Sequence, residues 1–401
     1  MRRVYDYGHE EPYRLDPTPL YAKLRSEEPV ARVSTPYGDD GWLVTRYESV
    51  RTVLHDPSFS RAAAVEQGER LPRASAHVPK VNPISATDPP EHSRLRQLVS
   101  GAFTKHKAQQ HRARTEEIAN ELIDELISAG PPADLNQGFA KRFPILSLAE
   151  VLGVPRSECV QVKEWTAPIV TRHGHTEAEI SAAHARLEEY LAALLARRRD
   201  HPEADFISTL VQSQQRQHRY TDDELVFLVG SLLINDSVPS HLGSALYLLL
   251  AHPEQLAWLR ENMHHLPHAV EELLRFAPQS PDIPSAGHGH VRYAVEDIEI
   301  DGVQVRAGEW VLPSIISANR DERVFPGADL LDITRTRNRH IAFGFGTHHC
   351  PGAALSRMQL LVAFTTVLTR FPTLALAVPA GDVRWKTGRV TRGPERLPVT
   401  W

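Results

Sequence analysis

"FGFGTHHCPG", residues 343–352, runs directly into "AALSRMQLLVAF". It holds three glycines, two adjacent histidines, a proline and one of the chain's two cysteines. A helix N-terminus presents unpaired N–H groups and partial positive charge, which favour a thiolate. Pro351 suits a first helical turn, where its missing N–H costs nothing. Gly344 and Gly346 permit a tight turn, and Gly352 removes a side chain that would crowd the sulfur or a bulky ligand beside it. The stretch therefore predicts one activated thiolate at the mouth of a helix, with little side-chain bulk around it.

Three chemistries are open to such a cysteine. It can be a small buried hydrophobe at a turn. It can join His348 and His349 on zinc, although Cys159 is too remote in sequence to complete an obvious set. A haem iron held by one thiolate needs only one protein ligand, and this matches the loop best.

Composition narrows the class. The 401 residues carry a net charge of −5, with 41% hydrophobic and 24% charged residues, as in an ordinary soluble globular protein. Nothing in this balance points to nucleic acid. Two cysteines allow one disulfide at most, which suits a reducing cytoplasm. The opening "MRRVYDYGHEEPYRLDP" lacks an apolar h-region, so neither a signal peptide nor a membrane anchor is expected. Runs such as "ALYLLLAH" are too short to span a bilayer. With no repeat or low-complexity linker, residues 1–401 read as one domain.

The patterning is mainly α. "DPTPLYAKLRSEEP" predicts an opening amphipathic helix, and "ARVSTPYGDDGWLVTR" a hairpin bending between Gly38 and Gly41. Residues 61–87 predict a long loop. Helical periodicity covers 91–103, 108–130, 142–152, 156–170, 177–200 and 204–215. Residues 222–251 predict one long central helix, opened by a Thr221/Glu224 capping box and stopped at His252-Pro253. Thirty residues at 1.5 Å each span about 45 Å. Strand signals follow in "RYAVEDIEIDGVQVRAGEWVLP", with Asp301-Gly302 as a hairpin turn.

The loop resembles the haem-binding segment of the bacterial cytochrome P-450 family, Phe-Gly-x-Gly-x-His-x-Cys-x-Gly. Phe343, Gly344, Gly346, His348, Cys350 and Gly352 match it, and the resemblance extends along essentially the whole chain. It implies a mainly α fold, the P-450 triangular prism with small β-sheets, and haem b held through its iron by Cys350. "DPPEHSRLR" (88–96) resembles the haem-flanking helix, which makes His92 and Arg96 propionate partners. "VRYAVED" resembles the strand that supplies another, here Arg292, and His348 resembles a fourth. "EELLRF" resembles the buried structural pair, here Glu272 and Arg275. The third member, commonly an arginine, falls on Leu330, which leaves Arg320 or His340 to replace it.

The same resemblance aligns Leu233, Ile234, Asn235, Asp236 and Ser237 with the segment that handles dioxygen. Asp236 and Ser237 take the proton-delivering positions. Leu233 and Ile234 replace two small residues and narrow the space above the iron. Pro239 has no N–H for the Asn235 carbonyl, so the expected helix opening shifts two to five residues later.

These readings imply a monooxygenase using dioxygen and two electrons. No flavin or nicotinamide domain fits in the length, so ferredoxin and ferredoxin reductase are the expected donors. Arg94, Lys105, Lys107 and Arg357 are candidates for steering them. The expected substrate is a medium-sized secondary metabolite, walled by residues 61–87, about 165–180, 233–241, 281–288 and 388–396. Hydroxylation of a C–H bond and oxidative coupling of aromatic units, such as tryptophan-containing diketopiperazines, both stay open. A haem protein without turnover is the alternative from another class.

Overall fold

Two capping boxes start helices near the centre of the chain. Thr176 accepts the Glu179 N–H while the Glu179 carboxylate takes the Thr176 N–H, opening Glu177–Asp200. Thr221 and Glu224 repeat the device at Asp222–Leu233. The computed structural model describes residues 3–8, 15, 17–76, 83–171, 174–217, 220–234, 236–277, 290–389 and 391–401.

The expected 30-residue helix is two helices, Asp222–Leu233 and Ser237–Ala251. Ile234 caps the first and Asp236 the second. The opening therefore lies at Ile234, where the resemblance aligns the family's glycine, rather than two to five residues later. Pro239 sits in the first turn of the second helix, where its missing N–H leaves no intrahelical bond unmade. Together the 30 residues are long and apolar enough to cross a bilayer, contrary to the shorter runs considered above. Here they form core instead: every residue from Pro239 to Leu250 is buried.

That burial needs neighbours on all sides. The Glu177–Asp200 helix turns Leu187, Leu191 and Leu194 inward, and Ala353–Arg370 is buried along most of its length and packs against Arg112–Ala129. Truncating one such buried leucine to alanine costs about 2–5 kcal/mol. Helices Arg142–Leu152 and Glu177–Asp200 match their predicted bounds. The expected loop at 61–87 is partly helical, with Ala62–Glu66 and Pro83–Ala86, and residues 77–82 lie outside the described set.

Among the described residues the largest sheet has six strands, in the order Val4–Asp6, Val30–Ser34, Gly41–Val44, Trp310–Pro313, Arg292–Ala294, Phe59–Ser60. Arg292 pairs with Val311, which fixes its side chain on one face of the sheet. Asp301 and Gly302, both with positive φ, close the predicted two-residue hairpin between Ile298–Ile300 and Val303–Val305.

Candidate active site

The Cys350 loop is held from behind. Cys350 N–H donates to Phe343 O at 2.8 Å, and His349 N–H to Gly346 O at 3.1 Å. Gly346 has φ +71°, and a Cβ there would lie 2.8 Å from Leu54 O, so only glycine lets the loop seat on the Tyr47–His55 helix. Gly352 is different. A Cβ at 352 would meet the Cys350 sulfur at 3.9 Å, an ordinary contact, so the polypeptide itself does not demand glycine there. The expected crowding of the sulfur is absent, and the demand for space at 352 falls to whatever lies beside the sulfur.

The helix following the loop begins at Ala353, with Gly352 as its cap, so Pro351 precedes the first turn. Burial pushes the Cys350 thiol up, opposed by the Gly352 and Ala353 N–H groups and by Arg96 and Arg357. The helix terminus alone does not make the expected thiolate. Cys159 is a buried thiol donating to Pro155 O, and burial takes it up to about 11. Among the described residues no cluster of His, Cys, Asp and Glu is arranged to hold a metal, which leaves the zinc reading without support.

Cys350 opens into a cavity of about 410 Å³. Arg61, Arg96, Arg292 and His348 line it too. His92 packs beside them, its ring centroid 4.4 Å from that of His348. Arg292 and Arg61 are 3% exposed, and burial lowers them to about 9 and about 10. Neither Arg292 nor Arg96 has a carboxylate partner among the described residues; Arg292 donates only to His290 O and Val291 O. Asp88 is the local anion, held ionised against burial by His348, by Ser60 and by the Arg61 and Ala62 N–H groups. Both ring nitrogens of His92 are buried and lack a partner among the described residues, and burial takes the ring down to about 4. Three guanidiniums and an unpaired imidazole against one carboxylate make an end of the cavity that is short of negative charge. Arg61 was not anticipated; nothing in "FSRAA" separates it from a surface arginine.

Behind the loop, Glu272 and Arg275 form a bidentate pair at 2.7 Å, both side chains fully buried. Arg275 also donates to Asn319 O, and the Asn319 side chain accepts the Ile341 N–H, which ties the pair to the residues entering the Cys350 loop. The third member is Arg335, whose Nε meets Glu272 at 3.1 Å, with Asn338 beside it. The two expected substitutes are engaged elsewhere. Arg320 stacks on Phe276, 3.6 Å from the ring centroid, and His340 pairs with Glu271.

The two residues expected to deliver protons part company. Ser237 lines the cavity, with Leu233 and Ile234, but Asp236 does not. The Asp236 carboxylate accepts from Ser240 and Thr391 at 3.0 Å and meets Lys386 at 3.4 Å. Burial opposes its charge, but Lys386 and Lys163, with the Thr391 and Ser240 hydroxyls, outweigh it and hold the acid below the usual range. The predicted walls are met in part. Arg61, Ile84 and Ser85 come from 61–87, and Leu233, Ile234, Ser237, Val238, Pro239 and His241 from the helix break. No described residue of 165–180 or 388–396 lines the cavity; His184, Leu187, Glu188 and Leu191 do instead. Residues 281–288 lie outside the described set. Of the steering cations, Arg94 pairs with Glu91 and Glu224, and Arg357 with Glu271, whereas Lys105 and Lys107 are exposed.

The cytochrome P450 family model matches residues 145–382. Nocardicin C N-oxygenase of Nocardia uniformis subsp. tsuyamanensis is 46% identical over 401 residues, covering 100% of this chain and 98% of the relative. The solved structure of LnmA, a cytochrome P450 hydroxylase of the leinamycin biosynthetic pathway from Streptomyces atroolivaceus S-140, superposes with TM-score 0.92 at 42% identity, covering 99% of this chain and 100% of that one. Cytochrome P450mel 107F1, solved with biaryl coupling reactivity, superposes with TM-score 0.92 at 38% identity over 100% of both chains.

Proposed function

The chain belongs to the cytochrome P450 family, and from that premise we propose that it transfers one atom of dioxygen to a medium-sized natural product. It is a monooxygenase-type oxidoreductase, and its cofactor is haem b. The observation that carries the reading is one cavity lined by Cys350, by Arg96, Arg292 and His348, and by Ser237.

The residues fit that cofactor. The cationic end, with His92 unpaired and Arg96 and Arg292 lacking carboxylates among the described residues, suits two propionates. Cys350 would hold the iron, and the space kept at Gly352 beside its sulfur suits a flat, bulky group. Phe343 and Gly344 belong to the turn that sets the sulfur, with Arg357 stacked 4.6 Å from the Phe343 ring centroid. When bound, haem supplies the activation of dioxygen and the oxidising power.

The polypeptide's part is proton supply and exclusion of water. Ser237 lines the cavity, and its hydroxyl would pass a proton to it. Asp236 does not line the cavity; held ionised, with the Ser240 and Thr391 hydroxyls on its Oδ2, it would accept a proton from one side and pass it on, as a relay. Leu233 and Ile234 keep the adjoining wall apolar. Bacterial members generally draw electrons from a ferredoxin and its reductase, and we assign the same donors here, in the cytoplasm. With Arg94 and Arg357 engaged inside the chain, Lys105 and Lys107 are left to steer an acidic partner.

The relatives' chemistries support oxygen transfer, to carbon as in a hydroxylase or to nitrogen as in an N-oxygenase. The structural similarity to an enzyme with biaryl coupling reactivity favours a second reading, removal of two hydrogens and joining of aromatic units. Reduced, CO-bound protein is expected to show the red-shifted Soret band of thiolate-ligated haem, lost in Cys350→Ala and kept in Cys159→Ala. With labelled dioxygen, oxygen transfer puts one labelled atom in the product; an unlabelled, coupled product would replace it by the second reading.

A further inference from the structure

His241 follows Ser237 by four residues, so both side chains leave one face of the Ser237–Ala251 helix, and both line the cavity. His241 is 1% exposed, yet neither Nδ1 nor Nε2 has a hydrogen-bond partner among the described residues. Burial pushes the ring down to about 4, against the Ala277 backbone, which favours the charged form, and with His340, which does not. The ring is therefore neutral at pH 7, with one donor and one acceptor nitrogen. The Ala277 main chain offers the donor side an acceptor to turn towards. Among the described residues nothing equivalent donates to the other nitrogen. Leaving such a buried atom unpaired is destabilising.

With the ring turned so that one nitrogen meets the Ala277 main chain, a donor for the other can come from the cavity's contents. This step rests on the haem-and-substrate reading of that cavity. The polar groups of haem are its propionates, which are acceptors and belong with His92, Arg96 and Arg292; the rest of the macrocycle presents no N–H or O–H. We propose that His241 accepts a hydrogen bond from an N–H or O–H group of the bound substrate and selects for molecules that carry one, such as amides, amines, phenols or alcohols.

The test uses haem-loaded protein and two near-isosteric probes, indole, which carries an N–H, and indene, which does not. Their affinities are read from Soret titrations in wild type, His241→Leu and His241→Gln. His241→Leu is expected to weaken indole relative to indene by about three- to tenfold, the worth of one net hydrogen bond, while His241→Gln keeps most of the wild-type ratio. Comparing ratios cancels the probes' different solubilities. An affinity ratio unchanged in His241→Leu overturns the proposal. Should that variant fail to take up haem, ¹⁵N-histidine spectra of the diamagnetic reduced, CO-bound wild type carry the test. The ring signal absent from His241→Gln should move with indole and stay with indene; equal movement, or none, overturns it. Absence of the thiolate band in wild type would instead sink the haem-thiolate reading, so the two failures are separable.

Discussion

Glu272 accepts five hydrogen bonds from the protein, while His92, buried to a similar degree, has none. Both stand close to the Cys350 loop, one behind it and one packed on His348 within it. The cluster around Glu272 is closed: every charge has a partner within the chain, and Arg275 reaches the loop through Asn319. The cluster around His92 is open, with guanidiniums facing a space instead of carboxylates. Buried polar groups persist when they are satisfied, so an unsatisfied set conserves its purpose for a ligand. The contrast separates scaffold from binding site without reference to any bound molecule.

The closed cluster should break hardest. Arg275→Leu leaves Glu272 charged, with 0% of its side chain exposed, and is expected to cost about 3–5 kcal/mol, read as a lower denaturation midpoint and poor haem yield. Arg335→Ala should cost clearly less, because Arg275, Asn338 and the Asp332 N–H still hold the carboxylate. Equal losses in the two variants would mean that the pair is not the keystone of the network.

The open cluster should respond with opposite signs in the two states. His92→Leu removes two unpaired buried nitrogens, so haem-free protein should melt at the same temperature or higher. Haem should leave faster by about ten- to a hundredfold, the worth of a hydrogen bond to a charged group. Transfer to apomyoglobin measures this. A variant that loses stability without haem, and holds haem as well as wild type, would make His92 part of the scaffold. Arg96→Ala should speed haem loss in the same assay.

The closed cluster was half legible in the sequence and the open one nearly whole. Glu272 and Arg275 sit three apart on one helix, a spacing that states its own geometry. Arg335 comes from an irregular segment after the Leu330 position, where no periodicity says which side chain turns inward. His92, Arg96, Arg292 and His348 were legible only because the segments that carry them resemble the family's haem-flanking helix, strand and haem-binding loop. The distal wall was not. A break between two helices resets the rotational phase of the second, so continuous periodicity could not say that Ser237 and His241 face the cavity while Asp236 faces Lys386. Arg61 had no pattern to announce it, since its role depends on strands distant in sequence.

Glu271 tests the boundary between the two kinds of cluster. It neighbours Glu272 but is 27% exposed, and takes its bonds from His340 and from both arms of Arg357. Burial opposes its charge, yet those partners outweigh it and bring the carboxyl from 4.5 down to about 2. A folded value below the unfolded one means stability that is fully present above about pH 4.5 and is lost as pH falls towards about 2. Linkage alone would make this ~3 kcal/mol, and solvent screening of a part-exposed group reduces it to about 1 kcal/mol. Glu271→Gln should therefore be less stable than wild type by about 1 kcal/mol at pH 7, with the gap closing between pH 4.5 and 2. Urea midpoints at a series of pH values measure it. A constant gap down to pH 2 would mean that packing, and not charge, fixes this corner of the Cys350 loop.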